Sequence, residues 1–355
     1  MHKYTVGVIP GSEAGAFVVA EALRVARAVG VTITDRVINV GPDRYRQTGD
    51  VLTEDDLSAL RGTNAVFVGA PPVSGATDIP AGLLERGIIF GLRRSLDLGV
   101  NLRIFRGVGA HEGIDIAVVR ENSEGGYVGE GGVLREGTEM EIATQGSVNT
   151  WFGVQRCLRF AFETARSRKR RLILAHKVRV LTFAGSLWQR ALAEVGRDFP
   201  DVQTTYENID ICCAHMVEDP RRYDVIVADN MFGDILSDIA CTVACASDYA
   251  ASAELNVART GPSMFEPMHS HTVYDADVSG NQNPRPGINA IAMMLDYLGD
   301  HLTGAALAHA VLAHAAQDAT SEGGNRGAET SDEIIELAAA ALERDSGRMR
   351  AETAG

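Results

Sequence analysis

At 355 residues the chain is long enough for two lobes, each with its own buried core. Hydrophobic residues make up 45% and aromatics only 6%, a mixture that suits a closely packed α/β protein and argues against a β-sandwich or a disordered chain. The formal charge of −14 repels phosphate backbones, so nucleic acid is excluded as a partner.

In chain order, residues 4–9 form a short apolar run that stops at Pro10-Gly11, and residues 16–29 then carry apolar side chains at helical spacing. Residues 37–40 and 65–68 read as strands with a helix at 54–60 between them, and 84–98 is helical again. This rhythm predicts a parallel or mostly parallel sheet covered by helices. It changes after about residue 100. Residues 114–119 read as a strand, and the Gly-rich stretch 125–146 predicts a two-stranded arm of the kind that joins subunits. Alternation resumes with helices at 149–165 and 185–195 and strands at 172–175, 202–206 and 225–228. Further helices are expected at 288–298, 304–315 and 331–342, and the polar residues 345–355 are expected to fray. No internal repeat or Pro-rich linker interrupts the chain, so the two lobes are expected to share a sheet.

No run approaches the ~18 uninterrupted apolar residues of a membrane helix, and Met1-His2-Lys3-Tyr4 leads straight into a strand with no secretion signal. The five cysteines form no CxxC pair and no zinc spacing; their odd number reads as reduced thiols in a cytoplasmic protein. The basic run Arg166-Ser167-Arg168-Lys169-Arg170-Arg171 reads as a helix C-terminus set against the dipole.

The sharpest chemical signal is Asn230-Met231-Phe232-Gly233-Asp234-Ile235-Leu236-Ser237-Asp238. Asp234 and Asp238 are four apart, so a helix stacks both carboxylates on one face, where they repel unless a cation lies between them. Hard oxygen ligands suit Mg²⁺ or Mn²⁺, although the same spacing also fits N-terminal helix acids, and spacing alone does not choose. Arg93 lies near a helix end, Arg103 at the start of the next strand, and Arg120 closes the apolar strand 116–119. Arginine forks grip carboxylates in a bidentate manner, so the three together point to a substrate with two carboxylates. Lys177, emerging from a buried strand, is placed to act as a base, and Tyr127 to relay a proton. No GxGxxG follows a strand and opens a helix, so a standard Rossmann site is not supported.

Taken together, these segments resemble the β-decarboxylating hydroxyacid dehydrogenases, which include the isopropylmalate, homoisocitrate, isocitrate and tartrate/D-malate enzymes. The resemblance spans about residues 5–340 and rests on Leu92-Arg93-Arg94-Ser95 through Asn101-Leu102-Arg103, on Val119-Arg120-Glu121-Asn122-Ser123-Glu124-Gly125-Gly126-Tyr127, on Ala175-His176-Lys177, on 230–238, and on Phe265-Glu266-Pro267-Met268-His269. It implies the family's two-domain α/β fold, not the Rossmann type, with a shared mixed sheet and a dimer arm at about 125–147. Residues 1–98 plus 250–355 would form the cofactor domain, and 99–249 the small dimerisation domain.

The resemblance also implies roles. Arg93, Arg103 and Arg120 would hold the malate carboxylates, and Ile89 and Phe90 would line the pocket for the C3 substituent. Asp210, Asp234 and Asp238 would bind Mg²⁺ or Mn²⁺, with Lys177 and Asp210 supplied by the partner of a homodimer whose active sites are shared. Lys177, with Asp210 beside it, would help remove the hydroxyl proton, and Tyr127 would protonate the enol left by CO₂ loss. NAD would be held by Glu266, His269, Asp275 and Asn283; an acid at Asp275 repels a 2′-phosphate and favours NAD over NADP.

Departures from the family pattern fall mainly near the cofactor. The glycine-rich opening reads Pro10-Gly11-Ser12-Glu13-Ala14-Gly15, and the cofactor loop reads His269-Ser270-His271-Thr272-Val273-Tyr274-Asp275, with an insertion before Asp275. Lys177-Val178-Arg179 carries Arg where the family usually has Asn. The expected activity is a metal-dependent, NAD-linked oxidative decarboxylation of a 3-substituted malate by a cytoplasmic enzyme. Two alternatives stand beside it: a tartrate- or D-malate-type enzyme, or one using an acidic malate analogue that Arg86 would meet; and a non-catalytic regulatory paralogue.

Overall fold

The computed structural model describes residues 3–70, 78–80, 82–268, 283–318 and 328–353. The first elements are β1 (Lys3–Gly11), α1 (Glu13–Ala28), β2 (Thr32–Val37), α2 (Pro42–Thr48), α3 (Glu54–Arg61), β3 (Ala65–Ala70), α4 (Leu83–Ser95), β4 (Val100–Arg106) and β5 (Asp115–Glu121). A hairpin of β6 (Gly131–Leu134) and β7 (Ile142–Gln145) follows. Then come α5 (Trp151–Arg166), β8 (Arg171–His176), α6 (Thr182–Gly196), β9 (Gln203–Asn208), α7 (Ile209–Glu218), β10 (Val225–Ala228) and α8 (Asn230–Val243). The last elements are β11 (Ala251–Leu255), β12 (Ser263–Pro267), α9 (Arg285–Tyr297), α10 (His301–Asp318) and α11 (Ala328–Thr353).

All strands but the hairpin join one 10-stranded sheet, in the order β2-β1-β3-β12-β11-β4-β5-β10-β8-β9. The block β2-β1-β3-β12 is parallel, and so is β5-β10-β8-β9. Between them β11 and β4 run antiparallel to both of their neighbours, so the two parallel blocks point in opposite directions. This is the shared mixed sheet that the resemblance implies, not the mostly parallel sheet that the strand-helix rhythm alone suggests.

Local chemistry starts the helices where they start. Ser12, Thr150 and Asp229 cap α1, α5 and α8 through their side chains, and Thr53 with Asp56 forms a reciprocal capping box on α3. Inner strands of both parallel blocks read as apolar runs, and Val225–Ala228 is buried at every position. Trp188, Phe162 and Tyr223 fill the core beside β8 and β10, while Ile88 and Ile89 of α4 join Leu60, Val66 and Val68 in a second cluster.

Three readings of the sequence need correction. The second strand lies at Thr32–Val37, ahead of 37–40, because an edge strand with only Ile33 buried has no apolar run to betray it. Strands β11 and β12 and helices α2 and α7 went unread. β11 hides because its fully buried residues include Ser252 and Glu254. The C-terminal helix continues to Thr353 where fraying was expected. The basic run does lie at a helix C-terminus, with Arg166 in the last turn of α5, and it also forms ion pairs: Arg168 lies 3.0 Å from Asp224 and 2.9 Å from Asp115, and Arg166 2.8 Å from Asp201.

Gly69 marks the tightest backbone approach of the first parallel block. A Cβ there would run into the carbonyl oxygen of Pro10 and come 2.8 Å from that of Gly15. Gly69→Ala is therefore expected to destabilise the fold by about 3 kcal/mol, since neither partner is a side chain that can swing away. A chemical-denaturation midpoint equal to that of the parent would disprove this close packing.

Candidate active site

The antiparallel seam presents two rows of polar side chains on one face. Glu266 of β12, Ser252 of β11 and Arg103 of β4 are register partners in the first row; Glu254, Asn101 and Arg120 form the second. All six are buried. Strand period places them on one side, and their burial requires partners.

Arg93, in the last turn of α4, lays its guanidinium on Glu254, with Nε donating at 3.1 and 3.0 Å and Nη2 at 2.5 Å. Arg120 donates from Nε to Asn230 Oδ1 at 2.8 Å and from Nη1 to Asp234. Arg103 is the least committed of the three, with contacts of 3.4 Å to Ser252 Oγ and 3.5 Å to Asp234 Oδ1. Tyr127 donates to Asp234 Oδ2 at 3.0 Å, and its ring lies 5.4 Å from the Arg120 guanidinium and edge-on to Phe90 at 5.8 Å. The approach of α8 to β5 depends on Gly233, where a Cβ would stand 2.7 Å from Arg120 side-chain carbons. A cavity of about 100 Å³ opens beside this cluster, lined by Phe90, Arg93, Tyr127, Asn122 and Asn230 among others.

The electrostatics follow from burial and crowding. Burial and the neighbouring Arg103 pull the Arg120 guanidinium down to about 10. Burial alone would raise Asp234, but Arg120, Arg103 and the Tyr127 hydroxyl hold its carboxyl below the ordinary value. Burial likewise opposes ionisation of Glu254, yet Arg93 keeps it low. Burial and the charge of Glu254 push Glu266 up to about 8. Burial and Asp234 raise Tyr127, so its phenol keeps its proton.

Lys177 and Asp210 form a separate pair, with Nζ donating to Oδ1 at 2.5 Å. Asp238 is exposed on the outer part of the helix face that carries Asp234. These two carboxylates offer hard donors, the chemistry that Mg²⁺ or Mn²⁺ requires. Among the described residues, however, no group of three His, Cys, Asp or Glu side chains gathers within one chain to hold a metal. Asp210 therefore does not join Asp234 and Asp238 inside a single copy. The donor type of Asp234 and Asp238 fits the ion.

Arg93, Arg103, Arg120, Tyr127 and Asp234 thus converge, and Glu266 stands in the same rows. Phe90 borders the cavity, whereas Ile89 is buried in the second core cluster and Arg86 is exposed. Asn283 donates to the Asp248 carbonyl at 2.7 Å and accepts from Arg285 N at 3.1 Å. His269 and Asp275 lie outside the described residues. Sequence reasoning missed Glu254, the counter-ion of Arg93, and gave no role to Asn230, which ties Arg120 to the Glu124 carbonyl at 3.0 Å. The available signal for Glu254 was a single acid in the otherwise uncharged stretch 249–257.

Comparison with known proteins bears on this geometry. A family model described as isocitrate/isopropylmalate dehydrogenase matches residues 5–336. The chain is 43% identical over 316 residues to a 3-isopropylmalate dehydrogenase of Mycobacterium tuberculosis, covering 87% of this chain and 93% of that one. Among solved structures, an isocitrate dehydrogenase from Methylococcus capsulatus superposes with a TM-score of 0.82 at 28% identity, covering 96% of this chain and 100% of that one. A β-decarboxylating dehydrogenase from Thermococcus kodakarensis gives 0.76 at 32% identity, with 96% of each chain covered.

Glu266 supplies a pH test of the cluster. Its value in the folded chain is raised from 4.5 to about 8, so the folded state holds a proton that the unfolded chain releases. The associated stability is full below 4.5 and is lost as pH rises towards about 8. Glu266→Gln should raise Tm by at least about 5 °C at pH ~8.5 and by under about 2 °C at pH ~5. Equal shifts at both pH values would contradict a buried, proton-retaining Glu266.

Proposed function

The chain belongs to the isocitrate/isopropylmalate dehydrogenase family, and from that premise we propose that it oxidises and decarboxylates a 3-substituted malate with NAD and a divalent cation. The observation that carries this reading is the convergence of Arg93, Arg103, Arg120 and Tyr127 on Asp234 over the antiparallel seam. Arginines buried this deeply are costly unless they meet anions, and Arg103 has donor capacity left over for a carboxylate.

In this reading Arg103, Arg120 and Arg93 orient the two malate carboxylates. Asp234 and Asp238, with Asp210 of a second copy, would hold Mg²⁺ or Mn²⁺. When bound, the cation would polarise the substrate hydroxyl and its adjacent carboxylate, and the nicotinamide would take the hydride. Lys177 of the second copy receives the hydroxyl proton at Nζ. Tyr127, which burial keeps protonated, delivers a proton to C3 after CO₂ leaves. Glu266, His269, Asp275 and Asn283 would hold the NAD.

A homodimer with shared active sites completes the arrangement. Lys177 and Asp210 lie on a part of the surface rich in exposed apolar residues, among them Val180, Phe183 (93% exposed), Ile211 and Val217. The exposed Leu134, Met140 and Ile142 of the hairpin are suited to reach a partner. The cysteines are all free, and no helix among the described residues is long and apolar enough to cross a membrane. We place the enzyme in the cytoplasm. One observation favours a smaller substituent, as in a tartrate- or D-malate-type substrate: Phe90 stands edge-on to Tyr127 and narrows the cavity.

NADH formation across a panel of malates (D-malate, tartrate, isopropylmalate, isocitrate, homoisocitrate and a phosphonate analogue) tests the reading. Turnover with one member, abolished by EDTA, is expected; silence across the panel from a folded dimer would defeat it. Asp234→Asn should lower kcat at least about 100-fold with the dimer intact. Tyr127→Phe should lower kcat by about 10- to 100-fold with little change in KM. Near-parental kcat in either variant would remove that residue from the proposed machinery.

A further inference from the structure

We infer that Tyr206 is a positioning residue whose single hydroxyl sets the Lys177–Asp210 pair, an inference that rests on the proposed role of that pair in the site of a second copy. Tyr206 lies on β9 opposite Leu174 of β8, and its ring packs against the core. Its hydroxyl lies at the point where both strands end. There Val178 N donates to Oη at 3.2 Å, the His176 carbonyl lies 3.1 Å away, and Asn208 Oδ1 lies 2.7 Å away.

The peptide groups on both sides of Lys177 therefore meet one oxygen. A phenolic hydroxyl has one proton and accepts as well, so it takes the Val178 N–H while donating to Asn208 or to the His176 carbonyl. Asn208 is the N-cap residue of α7, and Asp210 sits in the first turn of that helix. One side chain thus ties the backbone that launches the lysine to the helix that launches the aspartate. Between them Nζ and Oδ1 are 2.5 Å apart.

The rest of the local scaffold is spare. The Lys177 carbonyl accepts from Val180 N at 3.0 Å and Leu181 N at 2.9 Å, which shapes the turn beyond the lysine. Among the described residues the Lys177 amine has no hydrogen bond except that to Asp210. Both side chains are partly exposed, at 32% and 59%. A long exposed lysine carries considerable rotamer freedom, and a displacement of about 1 Å is enough to cost a reaction up to about 100-fold. Fixing the peptide before and after Lys177 removes the backbone part of that freedom. The Asn208 side chain makes no cap hydrogen bond to α7, which leaves its oxygen available to Tyr206.

Tyr206→Phe removes the hydroxyl and keeps the ring. In the full-length dimer it is expected to leave Tm within about 2 °C, lower kcat by about tenfold and leave substrate KM within about twofold. A second readout needs no turnover. The chain has only three lysines, Lys3, Lys169 and Lys177, so acylation by an N-hydroxysuccinimide ester can be followed site by site with mass spectrometry. Labelling of Lys177 relative to Lys3 and Lys169 should rise about threefold in Tyr206→Phe, because the amine leaves its carboxylate. Unchanged relative labelling overturns the inference, and so does an unchanged kcat in an active enzyme. If the parent turns over no malate while the labelling still changes, the positioning role stands and the proposed activity fails. Should Tyr206→Phe not fold, Asn208→Ala, which keeps the tyrosine and removes its nearest acceptor, is read by the same labelling ratio.

Discussion

Three guanidinium groups share one buried volume, and the site is arranged around their mutual repulsion. Arg93, Arg103 and Arg120 are each at most 8% exposed. Taking such charges out of water costs several kcal/mol per ion unless anions and hydrogen bonds compensate. Glu254 compensates Arg93, and Asp234 compensates Arg120 with help from Asn230. Arg103 is left with long contacts. The cluster is therefore electrostatically incomplete, with Glu266 kept largely protonated and Arg120 driven down by its neighbours. An entering dicarboxylate would supply what the protein withholds.

That incompleteness depends on the topology of the sheet. In a doubly wound parallel sheet, ligands bind beyond the carboxyl ends of the strands at a switch point. Here two parallel blocks run in opposite directions and meet through β11 and β4, so four strands bring residues to one face of a seam. Antiparallel pairing places Glu254 opposite Asn101, and Asn101 opposite Arg120, in a fixed row. Helix α8 then lowers Asp234 onto that row because Gly233 lets its backbone approach Arg120. Tyr127, Asp234 and the arginines come from different elements, and the paired strands fix Arg103 and Arg120 relative to each other.

Much of this is legible in the sequence. The spacing of Asp234 and Asp238 announced a shared helix face, and α8 supplies it. Arg120 at the end of an apolar strand sits at the end of β5 beside β10. The Gly-rich segment before α5 does form a two-stranded hairpin. Other features were not legible, for physical reasons. Periodicity locates elements by their apolar residues, so a strand that buries Ser252 and Glu254 for the sake of a site, or an edge strand that buries only Ile33, carries no such signature. Ile88 and Ile89 are as apolar as Phe90, yet only Phe90 borders the cavity, a choice made by the rotation of α4 on its neighbours.

The sequence by itself determined the family, the helix-covered α/β class, and the identities of the arginines, the tyrosine and the paired aspartates, because these are properties of residue type at short spacing. Tertiary structure alone decided that Glu254 would neutralise Arg93 from 161 positions away, and that Arg103 would be the guanidinium with donors to spare. It also decided that Tyr206 would bracket Lys177 from a neighbouring strand. The reason is the range of the forces involved. Capping, turn geometry and side-chain period act over a few residues and can be read along the chain, whereas charge compensation in a buried site depends on distances that exist only after the strands have paired.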